Sequence, residues 1–265
     1  MVDPFEAVRM IKDVGYGALE ICAADGWPTS PINFSVNQQR ELAKISNDLG
    51  FKSPILFALI DVCAPHTDRM KMFELTKKKF EMAQQLHYDD SSILITTTPG
   101  HSAPPWESGK EQIRDAFMNL ADIAAENDIT VAIEAHAGTD FETPEKAVWM
   151  MEQTQHPNLK LDLDISHFVV EGAELVHSIN LTAEHSAMVH IKDGEKVDGQ
   201  IKFCLPGDGG IDIQQFMTTL RSNGLEKLPV FAEVSQMQSR ATGYQPRAAA
   251  EFCYNALDTA RRAIL

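Results

Sequence analysis

From residue 159 the chain reads Leu-Lys-Leu-Asp-Leu-Asp-Ile, with Leu159, Leu161, Leu163 and Ile165 apolar and Lys160, Asp162 and Asp164 between them. A side-chain period of two makes this a strand that points both aspartates to one face. Further strand-like runs centre near residues 19, 56, 94, 132, 189 and 231, seven in all with this one. Segments of helical period separate them. Asp3-Pro4-Phe5-Glu6 opens the first helix with a cap, a proline at the first helical position and an acid three residues after the cap; Gly15 stops it. Ser35 caps a second helix that ends at Leu49-Gly50. Others are expected at about 67–87, 110–126, from Thr143-Pro144, near 173–179, from Asp212 to Asn223-Gly224, and from Pro246 almost to Leu265. The stretch from Pro99 to Gly109 reads as a surface loop, and so does Leu205 to Gly210.

Strand and helix alternate from end to end, which implies parallel strands joined by crossover helices. A closed barrel of this kind has eight strands, and this chain begins on a helix. The expected architecture is an α/β (β/α)8 TIM barrel lacking the first strand in this chain, one domain over residues 1–265. A doubly wound open sheet is the rival. It loses ground because no glycine-rich phosphate turn follows any strand.

Composition changes the picture only in places. Apolar residues make up 44% and charged residues 23%, enough for a sizeable core. No apolar run is long enough to span a bilayer, and the first residues are acidic where a signal peptide would be basic, so the expected location is cytoplasmic, with no membrane partner. Cys22, Cys63, Cys204 and Cys253 form no Cys-x-x-Cys pair, and reduced thiols are the default. The net charge of −15 argues against nucleic acid as a partner, since a phosphate backbone would be repelled.

The candidate chemistry lies at the carboxyl ends of four consecutive strands. They offer Glu134 with His136 two residues on, Asp164 with His167, His190 with Lys192, and Glu233. Two carboxylates on a strand covered on both faces are costly without a cation to satisfy them. Any one of these residues alone is more often a loop hydrogen-bonder or a cap. The ordered set of Glu, Asp, His and Glu, one per strand, reads as the expected ligand set of a divalent ion. Its oxygen and nitrogen donors suit Mn, Mg or Co, with Zn possible.

At these residues the chain resembles the xylose isomerase-like TIM barrels, and within them the sugar phosphate isomerase/epimerase group. That group includes ketose 3-epimerases, hydroxypyruvate isomerases and inosose dehydratases. The resemblance rests on Glu134, Leu163-Asp164-x-x-His167, His190-x-Lys192-Asp193 and Glu233. Gly15 to Glu20, Thr143-Pro144-Glu145, Pro206-Gly207-Asp208-Gly209 and Tyr244-Gln245-Pro246 extend it over nearly the whole chain. It implies that Glu134, Asp164, His190 and Glu233 bind the metal and that Glu134 and Glu233 form the acid/base pair. It also implies that His167 and His136 contact substrate oxygens. Lys192 and Lys196 are further substrate candidates; Lys196 stands where the ketose epimerases carry an arginine, and a lysine offers a point charge in place of a planar fork. Asp193 replaces a glutamate of the family. Nucleic-acid-cleaving members of the superfamily carry extra histidine ligands, and residues 197–209 contain no histidine.

The expected function is a divalent-metal-dependent isomerase or epimerase acting on a small keto sugar by proton abstraction through an enediolate. A dehydratase or lyase on a keto sugar or inosose shares the first half of that reaction and is the first alternative. A non-catalytic accessory subunit is the second. The expected partner is a small carbohydrate, with a homo- or hetero-oligomer possible.

Overall fold

The computed structural model describes residues 2–264. In chain order the elements are α1 (Pro4–Val14), β1 (Glu20–Cys22), α2 (Val36–Asp48), β2 (Ile55–Phe57), α3 (Arg69–Leu86), β3 (Ile93–Thr97), α4 (Trp106–Ala125) and β4 (Ile129–Glu134). There follow α5 (Pro144–Thr154), β5 (Leu159–Asp164), α6 (Ile165–Val170), α7 (Leu175–Thr182), β6 (Ser186–Ile191), β7 (Asp193–Val197) and β8 (Gln200–Cys204). The chain ends with α8 (Ile213–Ser222), β9 (Val230–Ala232), α9 (Gln236–Ser239) and α10 (Pro246–Ala263). Seven strands form one sheet in the order β1-β2-β3-β4-β5-β6-β9, and β7 and β8 form an antiparallel hairpin of their own. The seven strands are those expected from the sequence.

The chain divides into two compact units: residues up to 12, 17–134 and 150–161 in one, and 13–16, 135–149 and 162 onward in the other. In the first unit β1, β2, β3 and β4 pair in parallel, with registers such as Ile21↔Leu56, Leu56↔Ile95 and Ile95↔Val131. These paired residues are buried. Helix α4 turns Ile113, Phe117, Leu120, Ala121 and Ala124 inward at helical spacing. Each large apolar side chain so covered contributes roughly 1.5–3 kcal/mol. Caps fix where the helices start. Asp3 Oδ1 accepts from the backbone N–H groups of Phe5 and Glu6, and Ser35 and Gln38 close a reciprocal capping box.

In the second unit β6 and β9 are parallel, with Val189↔Val230 and Ile191↔Ala232 in register. Asp212 caps α8 by accepting from Gln215 N, as its sequence predicts.

One expectation needs correction, and two stretches the sequence left unassigned prove regular. The loop expected up to Gly109 ends earlier, because Trp106-Glu107-Ser108-Gly109 is the first turn of α4. Trp106 is buried there, and Gly109 leaves no room for a Cβ against Pro104. Helix α6, not assigned from the sequence, starts directly after β5, with Asp164 as its cap through a 2.9 Å bond from Ser166 N. Residues 193–204, left unassigned by the sequence reading, form the β7–β8 hairpin. Its two-residue turn is Asp198-Gly199, at φ values of 50° and 76°.

Candidate metal centre

Strand β5 places its side chains as the alternation predicts, and Leu159, Leu161, Leu163, Asp162 and Asp164 are all buried. The next strand brings His190, which is 1% exposed, and beyond its end comes Lys192, equally buried. Ser166 fixes that end. Its hydroxyl accepts from Lys192 N at 2.7 Å and donates to Lys192 O at 2.8 Å. The backbone of Glu233 is tied to the same place by Glu233 N donating to Ile191 O at 2.9 Å. One small hydroxyl and one main-chain bond therefore align three chemistry-bearing residues.

The side chains meet. His190 Nδ1 lies 3.1 Å from Asp162 Oδ2 and 3.5 Å from Glu233 Oε2. The Lys192 ammonium donates to Asp164 Oδ2 and, at 2.8 Å, to Glu233 Oε2. It also lies 5.2 Å from the centroid of the Phe203 ring, which the hairpin carries. Phe231 of β9 sets its ring edgewise to His190, at 5.7 Å between centroids. Burial pushes the Asp164 carboxyl up, but the adjacent Lys192 ammonium, with His167 and His190, outweighs it and holds Asp164 well below the usual carboxylate range.

Among the described residues, one ligand atom from each of Glu134, Asp164, His190 and Glu233 lies within 4.8 Å of the others. A divalent ion fits this donor set. Asp162 and Glu233 lie against His190, and Asp164 and Glu233 lie against Lys192. Buried carboxylates are expensive to desolvate, and a doubly charged cation offsets that cost. Hard carboxylate oxygens with one imidazole suit Mn, Mg, Co or Zn.

His136 and His167 form a second feature. Their rings stack 3.9 Å apart between centroids, and both are tied to the peptide groups of Ala137. With Glu134 they make a second group of close ligand atoms. Phe203 closes on the edge of His167 at 5.3 Å and packs with Ala137 and Val170. Lys196, expected near substrate, is on β7 and bonds to Glu171 Oε2. His66 and His101 are exposed, in keeping with loop roles.

Three contributors escaped the sequence reading. Phe203 is one; the Asp198-Gly199 pair was the signal that would have revealed its hairpin. Ser166 is the second, and nothing in its sequence setting marks it. The third is Asp193, noted only as a departure from the family. It is fully buried and accepts from the N–H groups of Gly194, Gly207, Gly209 and Ile211 at 2.9–3.3 Å. That carboxylate binds the loop after β8 to the end of β6.

The chain belongs to the xylose isomerase-like TIM barrel family, whose model matches residues 8–255. The particular relatives are as follows. The chain is similar to the inosose dehydratase of Geobacillus thermodenitrificans (strain NG80-2), 25% identical over 185 residues, which cover 59% of this chain and 62% of that protein. It is also similar to the ketose 3-epimerase of Arthrobacter globiformis, 25% identical over 166 residues, 61% of this chain and 55% of that protein. The chain thus matches less than two thirds of the length of these curated relatives. Among solved structures, the IOLI protein with a bound zinc atom superposes with a TM-score of 0.79 at 19% identity, covering 98% of this chain and 93% of that one. That likeness establishes the TIM-barrel fold. No helix of the described residues is long and apolar enough to cross a membrane.

Proposed function

We propose that the chain is a divalent-metal-dependent enzyme that isomerises or epimerises a small keto sugar. The observation that carries this reading is the convergence of Glu134, Asp164, His190 and Glu233 within 4.8 Å. Those four residues hold the ion, and a bound ion supplies Lewis acidity toward a carbonyl and its neighbouring hydroxyl. Glu134 and Glu233 share the proton work. One carboxylate removes the proton from the carbon beside the carbonyl, and the other returns it. Return to the opposite face of that carbon epimerises it; return to the adjacent carbon isomerises the sugar. Lys192, between Asp164 and Glu233, orients those carboxylates and keeps Asp164 ionised. His167 and His136 contact substrate oxygens, with Lys192 and Lys196 the remaining candidates. The protein is read as one domain acting on carbohydrate, without nucleic acid.

A second reading is favoured by the inosose dehydratase relative. The same proton removal is then followed by loss of a hydroxyl from the β-carbon, which makes the protein a lyase. Keto sugars and an inosose incubated in deuterated water with Mn2+ test both readings at once. Deuterium at the substrate carbon, followed by NMR, is the expected result; a mass loss of one water marks the lyase. No exchange with any substrate, together with a chain that resists metal loading, would leave the accessory-subunit role. Light scattering during gel filtration then shows whether a partner or a second copy is bound.

A further inference from the structure

Lys79, on α3, is only 2% exposed, and the proposed chemistry does not use it. Among the described residues its ammonium makes one hydrogen bond, donating to Leu59 O at 3.2 Å. Burial pulls the lysine below its ordinary range, while Asp25 and Cys22 act the other way. A lysine is seldom buried this far without a partner, so the contact calls for a reason.

The reason lies in the acceptor. Leu59 stands at φ 45°, in the left-handed region. Among the described residues the other non-glycine residues with positive φ are Asp128, Gln155 and Asp198, all polar. Asp128 and Gln155 follow α4 and α5, and Asp198 is in the hairpin turn. Leu59, the apolar one, follows β2. The β-carbon of a leucine disfavours this conformation by roughly tenfold. A hydrogen bond from a charged donor favours the state it holds by roughly ten- to a hundredfold. The bond outweighs the strain.

What the turn aims is clear from its neighbours. Ala58 N donates to Thr96 O at 2.8 Å, and Ile60 N donates to Thr97 Oγ1 at 2.7 Å, so the residues on both sides of Leu59 are bonded to β3. Asp61 comes next. Its Oδ1 accepts from Ser102 N at 3.1 Å and its Oδ2 from Ser102 Oγ at 2.7 Å. Gly100, at φ 88°, lies so close that a Cβ there would sit 2.5 Å from Asp61 Cα. One carboxylate thus joins the loop after β2 to the loop after β3.

We propose that Lys79 is a positioning residue: its ammonium holds Leu59 left-handed and, through Asp61 and Ser102, fixes the loops that follow β2 and β3. It is an internal cation that neither a ligand nor a metal has to supply. All of these residues lie in the first compact unit, and none belongs to the proposed metal centre.

Hydrogen exchange of the full chain, followed by 1H–15N NMR, is the test. The amides of Ile60 and Ser102 are the readout, and that of Val131, bonded to Asn158 O, is the internal reference. Lys79→Met removes the ammonium and keeps the length of the side chain. Exchange at Ile60 and Ser102 should rise by about tenfold or more relative to Val131. Leu59→Gly supplies the second arm, because glycine adopts this φ without strain and leaves the lysine nothing to hold. In that background Lys79→Met should change the relative exchange by less than about threefold. Unchanged exchange in Lys79→Met overturns the proposal. So does an equal rise in the two backgrounds, which would make the lysine general packing. Should Lys79→Met not fold, the parent protein decides. Scalar coupling across the hydrogen bond from Lys79 Nζ to the Leu59 carbonyl carbon, with a positive φ at Leu59 from its backbone couplings, is expected. An uncoupled ammonium or a negative φ at Leu59 overturns the assignment.

Discussion

Two sets of strand ends, that of β3 on one hand and those of β5 and β6 on the other, handle buried polarity in opposite ways. In the first unit β3 ends in Thr96, Thr97 and Thr98, all buried. Thr97 Oγ1 accepts from Ile60 N at 2.7 Å and donates to Ile60 O, and Thr96 Oγ1 donates to Glu20 Oε1 at 2.9 Å. Neutral hydroxyls close the main chain locally, and the buried Lys79 beside them donates to Leu59 O at 3.2 Å. In the second unit β5 and β6 end in Asp162, Asp164, His190 and Lys192, which are ionisable and no less buried. Their mutual contacts are charge against charge, an arrangement that stabilises a fold poorly for what it costs to desolvate. Threonine ends make scaffold. The acidic ends are the donor set that the proposed divalent ion would use.

The largest effects should therefore fall on the acidic side. Glu134→Gln and Glu233→Gln remove a carboxylate without changing shape, and each should lower proton exchange at the substrate carbon by about 10²–10⁴-fold. Full exchange in both would remove them from the acid/base role. Lys192→Met leaves Asp164 and Glu233 without their buried ammonium, and breaking such a pair costs about 3–5 kcal/mol. Urea unfolding of metal-free protein measures it. Added Mn2+ should restore much of the loss; a loss unchanged by metal would mean that the carboxylates serve the lysine alone.

Smaller effects test the scaffold. Asp193→Ala strips four N–H groups of their acceptor and should cost roughly 2–3 kcal/mol, with faster proteolysis at 205–211. In the first unit Asp89 Oδ2 accepts from Ser53 N and Oδ1 from Ser91 N, at 2.8 and 2.9 Å. Burial pushes its carboxyl up, but the hydrogen bonds from Ser91 and Ser53 together outweigh it and hold it below the usual range. A depressed carboxyl stabilises the folded chain above the ordinary aspartate value of about 4 and ceases to do so as pH falls through its own lower value. Asp89→Asn should lower stability by about 1 kcal/mol near neutrality and flatten that acid slope, read from melts across pH. Gly199→Ala, at φ 76° with no atom near its Cβ position, should cost about 1 kcal/mol through backbone strain alone.

The barrel strands were legible because β-branched and apolar alternation repeats between well-capped helices; Ser35, Asp212 and Asp3 each announce a helix start by residue type. Glu134, Asp164, His190 and Glu233 were legible for a related reason. Each sits at a strand end, so counting inward by twos fixes its face. What stayed hidden depends on contacts distant in sequence. Ser166 is an ordinary serine until Lys192 folds against it 26 positions on. Phe203 reads as one more apolar residue in a short hairpin. Its contact with His167 arises from packing, which periodicity does not encode. The bond of Lys196 to Glu171, at the neighbouring helix end, likewise depends on residues 25 positions apart.

The most direct test is a crystal of the protein soaked in Mn2+, with data collected to reveal the anomalous signal of the ion. One peak in coordination contact with the side chains of Glu134, Asp164, His190 and Glu233 is the result this account predicts. An ion bound elsewhere, or none at saturating Mn2+ with the Lys192 ammonium alone between Asp164 and Glu233, would contradict it.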